Sequence, residues 1–141
     1  MAGFFDGEGC VGILKHKKET AQSPSYYVYV SIGQRDGTIM EWIKGNFGGR
    51  IYKVKRDGSY QWGMSDRKAY EFLKKITPFL KYKKPQAELA IRFTERVIHE
   101  RGNEKRFIQL SPHEIKIREE IYQKMKLLKK MFSEPKSIMQ E

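Results

Sequence analysis

The most regular alternation of hydrophobic and polar positions lies between Tyr26 and Arg35. One set of alternate positions carries aliphatic side chains, Val28, Val30 and Ile32. The other set carries side chains with polar ends, Tyr27, Tyr29 and Ser31. A period of two residues predicts a half-buried β-strand whose aliphatic set faces the core. The tyrosine face suits contact with something large, although exposed sheet faces with amphipathic tyrosines are also common.

The rest of the pattern predicts the remaining elements. Apolar residues at helical spacing predict helices over residues 1–8, 36–46, 67–76, 85–101 and 112–132. Short apolar runs predict strands over 10–18, 50–56 and 59–64. Asp36 is the expected N-cap of the second helix, and Ser111 and Glu114 have the spacing of a capping box for the last. Two hairpins separated by a helix indicate an α+β fold around a four-stranded antiparallel sheet.

The second hairpin has a turn signal at Asp57-Gly58. In its first strand we expect Tyr52 and Val54 to point inward. The opposite face would then carry Ile51, Lys53 and Lys55. One compact domain is expected over residues 1–132, followed by a polar, frayed tail at 133–141.

The first nine residues carry two glycines four positions apart, Gly3 and Gly7, and two acids, Asp6 and Glu8. In a helix the glycines lie on one face, where a second helix can approach closely. Gly9 is a natural helix stop, which leaves Glu8 at the carboxyl end of the helix. The helix dipole repels a carboxylate at this end. A bound Mg²⁺ would reverse that repulsion, because hard oxygen ligands such as the Glu8 carboxylate and a backbone carbonyl suit this ion. On this acid alone, a solvated surface carboxylate is the commoner explanation.

The charge balance narrows the class of partner. Lysine and arginine number 28 against 17 acids in 141 residues, a formal net charge of +11. A globular chain this basic usually binds a polyanion, either nucleic acid or an anionic membrane surface. No apolar run approaches the ~20 residues of a membrane span, and the single cysteine allows no intrachain disulfide. We expect an intracellular location, in the cytoplasm of a prokaryote or inside an organelle.

The first nine residues resemble the nonapeptide signature of the LAGLIDADG homing endonucleases, with Glu8 in the place of its second acid. Three further stretches resemble this family: the strand end at 31–34, the hairpin at 53–58, and residues 77–87, which contain Pro-Phe-Leu, alternating lysines and Gln-Ala. Together they cover most of residues 1–100, and the sequence beyond matches less distinctively. The chain carries one nonapeptide and no second copy.

The resemblance implies an αββαββα core with C-terminal helices, whose sheet forms a saddle over the DNA major groove. It implies that the nonapeptide helices of two chains pack together. The dimer interface would contain Ala2, Gly3, Phe4 and Gly7. One motif per chain then requires a homodimer and a near-palindromic target.

The resemblance also assigns catalysis to three residues, Glu8, Gln34 and Lys83. Glu8 and the carbonyl of Gly9 are the implied ligands of Mg²⁺. Lys81 is a near competitor of Lys83 for the active-site lysine. For Asp6 we favour a structural role over an electrostatic role at the metal.

On this scaffold, DNA contacts are expected from strand residues that face the groove. We expect them from His16, Lys18, Ser25, Tyr27, Tyr29, Ser31, Arg35, Lys53, Lys55 and Gln61. Arg35 is a weak substitute for a basic residue of some relatives. Lysines in the groove reach guanine edges or phosphates, although any one of them more often neutralises phosphate without reading a base.

The favoured interpretation is an intron-encoded, site-specific DNA endonuclease that makes Mg²⁺-dependent double-strand breaks as a homodimer. The alternatives are an RNA maturase with intron RNA as its partner, or a catalytically inactive DNA-binding regulator on the same scaffold. A basic structural or membrane-surface protein would explain the charge but not the nonapeptide.

Overall fold

The computed structural model describes residues 1–17, 23–101 and 110–133. Five helices lie in this part of the chain: α1 (Ala2–Glu8), α2 (Gly37–Phe47), α3 (Asp66–Ile76), α4 (Lys84–Arg101) and α5 (Pro112–Ser133). Its four strands are β1 (Gly9–His16), β2 (Ser25–Gln34), β3 (Arg50–Lys53) and β4 (Tyr60–Ser65), and a short 3₁₀ helix (Thr77–Phe79) follows α3. The predicted element order is confirmed. None of these helices combines the length and the apolar composition that crossing a membrane requires.

The strands form one antiparallel sheet in the order β1-β2-β4-β3. β1 pairs with β2 from Gly9 opposite Ile32 to His16 opposite Ser25. The end of β2 then pairs with β4, and β4 pairs with the short edge strand β3. The predicted α+β class and four-stranded antiparallel sheet are confirmed. Of the tail predicted at 133–141, Ser133 is the last residue of α5, and the rest lies outside the described residues.

One face of the sheet, called the helix face below, packs against α3 and α4. Its buried side chains include the predicted aliphatic set of β2, Val28, Val30 and Ile32. The ring of Phe72 in α3 lies 5.4 Å from the ring of Phe5 and 5.3 Å from that of Trp62. Burying a phenylalanine of this kind stabilises the fold by about 1.5–3 kcal/mol. The aromatic cluster therefore fixes α1, α3 and β4 to one another.

The opposite face is called the open face below. Because side chains alternate along each strand, the register assigns it Cys10, Gly12, Leu14, His16, Ser25, Tyr27, Tyr29, Ser31, Gly33, Arg50, Tyr52, Gln61, Gly63 and Ser65. None of these positions carries a carboxylate. The open face is thus free of negative side chains in a chain whose net charge is +11.

The predicted orientation of β3 is wrong. Ile51 lies opposite Trp62 and packs against the core, whereas Tyr52 lies opposite Gln61 and is 54 % exposed. Apolar residues occupy neighbouring positions in this segment, so alternation alone did not fix the register, and a shift of one residue exchanges the two faces. Burial of the Trp62 indole requires an apolar neighbour across the strand, which Ile51 supplies.

The lysines of this hairpin change place for the same reason. Lys53 shares the helix face with Tyr60, whose ring centroid lies 5.9 Å from its ammonium. β3 ends at Lys53, so Lys55 lies in the turn. The sequence predicted a two-residue turn at Asp57-Gly58, but the turn is longer. The Val54 N–H donates to the carbonyl of Ser59 at 2.8 Å, so the residues between them form the turn.

Helix α5 is fixed to α4 by a buried ionic cluster. The hydroxyl of Ser111 accepts the N–H of Glu114 at 3.2 Å, which is half of the predicted capping box. The Glu114 carboxylate is engaged elsewhere, because it accepts from Arg96 at 2.7 Å and from Arg118 at 3.0 Å. Burial raises the pKa of Glu114, but the two arginines outweigh it and hold that pKa below its ordinary value.

Helix α5 is also fixed to the edge of the sheet. Glu119 pairs with Lys15 of β1 at 2.9 Å and accepts the hydroxyl of Tyr26. The hydrogen bond from Tyr26 leads the contacts that lower the pKa of Glu119 to about 2. Met125, one and a half turns further along α5, is buried in the core. Helix α5 therefore packs along β1.

Candidate active site

The carboxyl end of α1 is fixed by close packing between Phe5 and Gly9. Phe5 is fully buried, and Gly9 is extended, with its N–H bonded to the carbonyl of Phe5. A Cβ atom at Gly9 would lie 2.4 Å from the Phe5 ring, closer than real contacts allow. The helix therefore ends at Glu8, as the sequence predicts, and β1 begins without a connecting loop.

Asp6 ties α1 to the segment that precedes α4. Its carboxylate accepts the backbone N–H groups of Lys81, Tyr82 and Lys83 at 3.0, 2.9 and 2.7 Å. Burial raises the pKa of Asp6, but these hydrogen bonds outweigh it, and the pKa lies below its ordinary value. The geometry gives Asp6 a structural role, because its charge holds three consecutive amides in place.

Lys83 sends its ammonium to the same helix end. Its Nζ donates to the backbone carbonyl of Asp6 at 2.6 Å. That carbonyl belongs to the last turn of α1, where the helix dipole favours a cation. Lys81 contributes a backbone N–H to Asp6, and the residue is exposed. This arrangement supports Lys83 over Lys81 as the lysine of the site.

Glu8 is exposed at the helix end and bonded to the last residue of β2. The Nε2 atom of Gln34 donates to Oε2 of Glu8 at 3.1 Å. The contact follows from the register: Gly9 is opposite Ile32, so the last two residues of β2 extend past Gly9 towards α1. The fold thus places the three predicted catalytic residues at the carboxyl end of α1, where Gln34 contacts Glu8 and Lys83 contacts the backbone carbonyl of Asp6.

The predicted metal ligands are Glu8 and the carbonyl of Gly9. Across residues 1–17, 23–101 and 110–133, no three His, Cys, Asp or Glu side chains come together to hold an ion. The exposed carboxylate of Glu8 and the carbonyl of Gly9 are hard oxygen donors of the kind that Mg²⁺ prefers. The donor chemistry fits this ion, which commonly completes its shell with water and substrate phosphates.

The predicted DNA-contacting residues divide by location. Six lie on the open face: His16, Ser25, Tyr27, Tyr29, Ser31 and Gln61. Arg35 is exposed just beyond β2, and Lys18 lies outside the described residues. Two placements are corrected by the register of β3, because Lys53 lies on the helix face and Lys55 in the turn.

Two residues of the open face were missed at the sequence level. Arg50 lies opposite Gly63 and Tyr52 opposite Gln61, and both are exposed. The signal that identifies them is Trp62, since its need for burial selects Ile51 as its neighbour and turns Arg50 and Tyr52 to the other face. The partner of Tyr29, Lys129 of α5, carried no sequence signal, because the pair is 100 positions apart.

The side of α1 that carries the two glycines is uncovered in the described part of the chain. A Cβ atom built on Gly3 or Gly7 meets no heavy atom within 4 Å. Both glycines are exposed, and Ala2 and Phe4 are partly exposed. Phe79, in the 3₁₀ helix that contacts α1, is 73 % exposed. The face predicted for the dimer interface is therefore available for contact.

A comparison with protein families decides the family of the chain. The family model described as LAGLIDADG endonuclease matches residues 1–95, more than half of the sequence. The chain belongs to the LAGLIDADG endonuclease family. The matched LAGLIDADG region contains Glu8, Gln34 and Lys83, but not α5. A comparison with curated protein sequences gave no significant match.

Solved structures of homing endonucleases share the LAGLIDADG fold. A structure of I-CvuI in complex with its target in the presence of calcium is 22 % identical, with a TM-score of 0.75 over 90 % of this chain and 78 % of that chain. I-TnaI is 23 % identical, with a TM-score of 0.66 over 93 % and 94 %. The archaeal intron-encoded I-Vdi141I, complexed with DNA, is 18 % identical, with a TM-score of 0.63 over 89 % and 94 %. At these identities the likeness establishes the fold.

Proposed function

We propose that this LAGLIDADG protein is a site-specific DNA endonuclease that makes Mg²⁺-dependent double-strand breaks as a homodimer. The observation that supports it most is the convergence of Glu8, Gln34 and Lys83 at the exposed end of α1. The Glu8 carboxylate contacts the Gln34 amide, and the Lys83 ammonium is bonded to the same last turn of α1. The adjoining sheet face carries no acid at its described positions, in a chain of net charge +11. Family membership supports endonuclease as the class of activity.

The open face is the proposed DNA-binding surface. Strands fit the major groove, where side chains with hydrogen-bonding ends read base edges and cations contact phosphates. The face offers hydroxyls, an amide and the guanidinium of Arg50, and no carboxylate to repel the DNA backbone. The structures of I-CvuI and I-Vdi141I contain DNA, which supports the same class of partner here.

The homodimer follows from the number of carboxylates. One chain offers a single exposed motif carboxylate, Glu8, whereas two strand breaks need two sites. The uncovered side of α1, with Gly3 and Gly7, lets a second α1 approach closely. Two-fold packing of α1 helices would bring two Glu8 residues to the molecular axis, and the target would be a near-palindrome of two half-sites.

The proposed reaction is hydrolysis of a phosphodiester, in which water adds to phosphorus and the bond to the leaving sugar oxygen breaks. The attacking water gives up one proton to solvent, and the leaving oxygen takes one up from solvent. The Glu8 carboxylate and the Gly9 carbonyl would hold Mg²⁺, which would supply positive charge beside the water and the reacting phosphate. Glu8 presents its carboxylate for the ion, and Gln34 fixes that carboxylate by donating to Oε2. An amide is no base, so Gln34 orients rather than deprotonates. Lys83 adds a positive charge whose position the Asp6 carbonyl fixes.

Cleavage is tested with a plasmid library that carries randomised half-sites arranged as palindromes. We expect the wild-type protein to linearise a subset of plasmids with Mg²⁺ and none with a chelator. Glu8→Gln should bind the selected targets and lower the cleavage rate by about 10³-fold or more, since several kcal/mol of charge stabilisation are lost. A Glu8→Gln protein that cleaves normally removes the proposed role of Glu8. Wild-type binding without cleavage would identify an inactive DNA-binding regulator.

The dimer is tested by the molar mass in solution with and without DNA. Gly7→Leu places a side chain on the uncovered side of α1 and should give a monomer that no longer cleaves. Gly45→Leu is the matched control, because Gly45 is also helical, exposed and without a neighbour within 4 Å of an added Cβ. Gly45→Leu should stay dimeric. A dimeric, active Gly7→Leu protein contradicts the α1 interface.

A further inference from the structure

The side chain of Tyr29 crosses β1 at Gly12. These residues are opposite each other, and a Cβ atom built on Gly12 would lie 2.5 Å from the Tyr29 hydroxyl oxygen. The absent side chain of Gly12 therefore leaves the space that Tyr29 occupies. The hydroxyl lies 3.8 Å from Sγ of Cys10, another open-face residue of β1. The side chain of Tyr29 in β2 therefore extends across β1, the edge strand of the sheet.

Helix α5 brings a cation to the same place. The Nζ atom of Lys129 donates to the Tyr29 hydroxyl at 2.8 Å and lies 5.4 Å from the ring centroid. Lys129 is partly buried, and it forms no ion pair with any residue in the part of the chain that the structure describes. Lys15 of β1, in contrast, pairs with Glu119 of α5. Partial burial removes water from the Lys129 ammonium, which costs free energy. The neutral Tyr29 hydroxyl compensates for that loss only in part, and a counter-ion would compensate for more of it.

Lys129 nevertheless keeps its charge. Burial lowers the pKa of Lys129, but the hydrogen bond to Tyr29 and the neighbouring groups outweigh it and raise that pKa above its ordinary value. Burial also raises the pKa of Tyr29, so its hydroxyl stays neutral at pH 7. The pair therefore presents one fixed positive charge at the β1 edge of a face that has no carboxylate.

We propose that Lys129 binds a phosphate of the DNA backbone at this edge, which makes α5 part of the DNA-binding surface. The inference deepens the proposed function and rests on the DNA binding that it includes. A phosphate oxygen supplies the counter-ion, and an ammonium has three donors, of which the Tyr29 hydroxyl takes one. Cys10 directly follows Gly9, so the contact would lie close to the cleavage site. α5 lies outside the matched residues 1–95, so the contact is an addition to the family's matched core.

The salt dependence of binding tests this role. Affinity for a random-sequence DNA duplex is measured by fluorescence anisotropy over a series of KCl concentrations for the wild type, Lys129→Met and Lys126→Met. Methionine keeps most of the aliphatic stem and removes the charge. Lys126 is the matched control: its ammonium lies 5.5 Å from the centroid of the Tyr122 ring, which packs on Tyr26 at the helix face.

Lys129→Met should lower the slope of log affinity against log salt by about 0.9 per chain, so by about two for the homodimer. Lys126→Met should leave the slope unchanged, and Lys129→Arg should restore it. Tyr29→Phe should keep the slope but weaken affinity severalfold, because the charge remains while its position loosens. These outcomes separate a phosphate contact from a purely structural clamp between α5 and the sheet.

Three results would overturn the inference. If the wild type binds DNA and Lys129→Met binds with the same slope and affinity, Lys129 contacts no phosphate, and the proposed endonuclease function stands. If Lys126→Met loses as much slope as Lys129→Met, the charge acts without a defined site. If the wild type binds no duplex at all, the proposed function itself fails, and the inference fails with it.

Discussion

The two sides of the α1 end differ in what surrounds their carboxylates. On one side, Asp6 accepts three backbone N–H groups from the segment before α4. On the other, Glu8 is exposed and bonded only to the amide of Gln34 among the hydrogen bonds of the described chain. Two acids separated by one residue therefore have opposite roles. Asp6 uses its charge to hold backbone amides in place, whereas Glu8 remains exposed and is the proposed metal ligand.

This contrast shows how a short helix can be rigid at a reactive end. An exposed carboxylate would be loosely held if the helix end were free to fray. Asp6 prevents fraying by joining α1 to the loop that carries Lys83, and Phe5 anchors the same turn in the core. The contacts of Asp6 and Phe5 thus fix the position of the helix end that carries Glu8. The predictions below separate the two sides.

After that of Glu8→Gln, the largest expected effect on cleavage is that of Lys83→Met. Lys83→Met removes the ammonium beside α1 and should lower the cleavage rate by about 10²–10³-fold, since a fixed charge near the reacting phosphate is lost. Lys81→Met changes a lysine two positions away and should cleave near the wild-type rate. Single-turnover rates on a selected target measure both. Equal losses in the two variants would mean that Lys83 contributes only general positive charge.

Asp6→Asn should weaken both sides at once. Three amides would lose a charged acceptor, so the free energy of unfolding should fall by about 1–3 kcal/mol in urea titrations. The cleavage rate should fall by up to about 10²-fold, because Lys83 is displaced. Asp36→Ala is the control: it removes the α2 cap, whose bond to the N–H of Thr38 is 2.8 Å, and should lower stability by about 1 kcal/mol without affecting cleavage. Unchanged cleavage in a destabilised Asp6→Asn protein would contradict the coupling.

A smaller effect is expected on the open face, which lies beyond Glu8. Arg50→Ala should weaken DNA binding severalfold and lower the salt slope by about 0.9 per chain, whereas Lys53→Ala should change neither, since Lys53 lies on the helix face. Anisotropy titrations with a DNA duplex measure both variants. If Lys53→Ala weakens binding and Arg50→Ala does not, β3 has the orientation that its sequence pattern predicted.

The smallest effect is the pH dependence of Asp6. Its pKa in the folded protein lies below the value of 3.8 expected for an unperturbed Asp. The stabilisation by Asp6 is therefore fully present above pH 3.8 and is lost as the pH falls through the lower folded pKa. The difference in unfolding free energy between the wild type and Asp6→Asn should shrink on acidification in this window. A difference that stays constant below pH 3.8 would show that ionised Asp6 adds nothing.

Much of the fold was predictable because strong patterns occur where burial is one-sided. β2 alternates without exception from Val28 to Ile32, and Gly9 stops α1 where the chain must approach Phe5. β3 was misassigned because Ile51 and Tyr52 are both apolar, so its register depends on Trp62 across the hairpin. Patterns along the chain do not contain that information.

The site was predictable to a different degree. The convergence of Glu8, Gln34 and Lys83 was expected from a family resemblance, and no local pattern indicates it. The three amides that hold Asp6 lie 75 to 77 positions further along the chain, and such contacts appear only in the folded chain. The same is true of the Lys129 contact, because α5 has no motif that ties it to β2.

The separation of the open face from α1 has an evolutionary consequence. Leu14, Tyr52 and Arg50 project from the sheet without supporting its interior, so under the proposed function substitutions there would change the preferred DNA sequence at little cost to folding. The short helix α1 tolerates far less change. Within its two turns, Phe5 packs in the core, Asp6 holds three backbone amides, and Glu8 is the proposed metal ligand. If the protein is the proposed endonuclease, its target preference can therefore change by substitution on the open face while the residues of α1 stay the same.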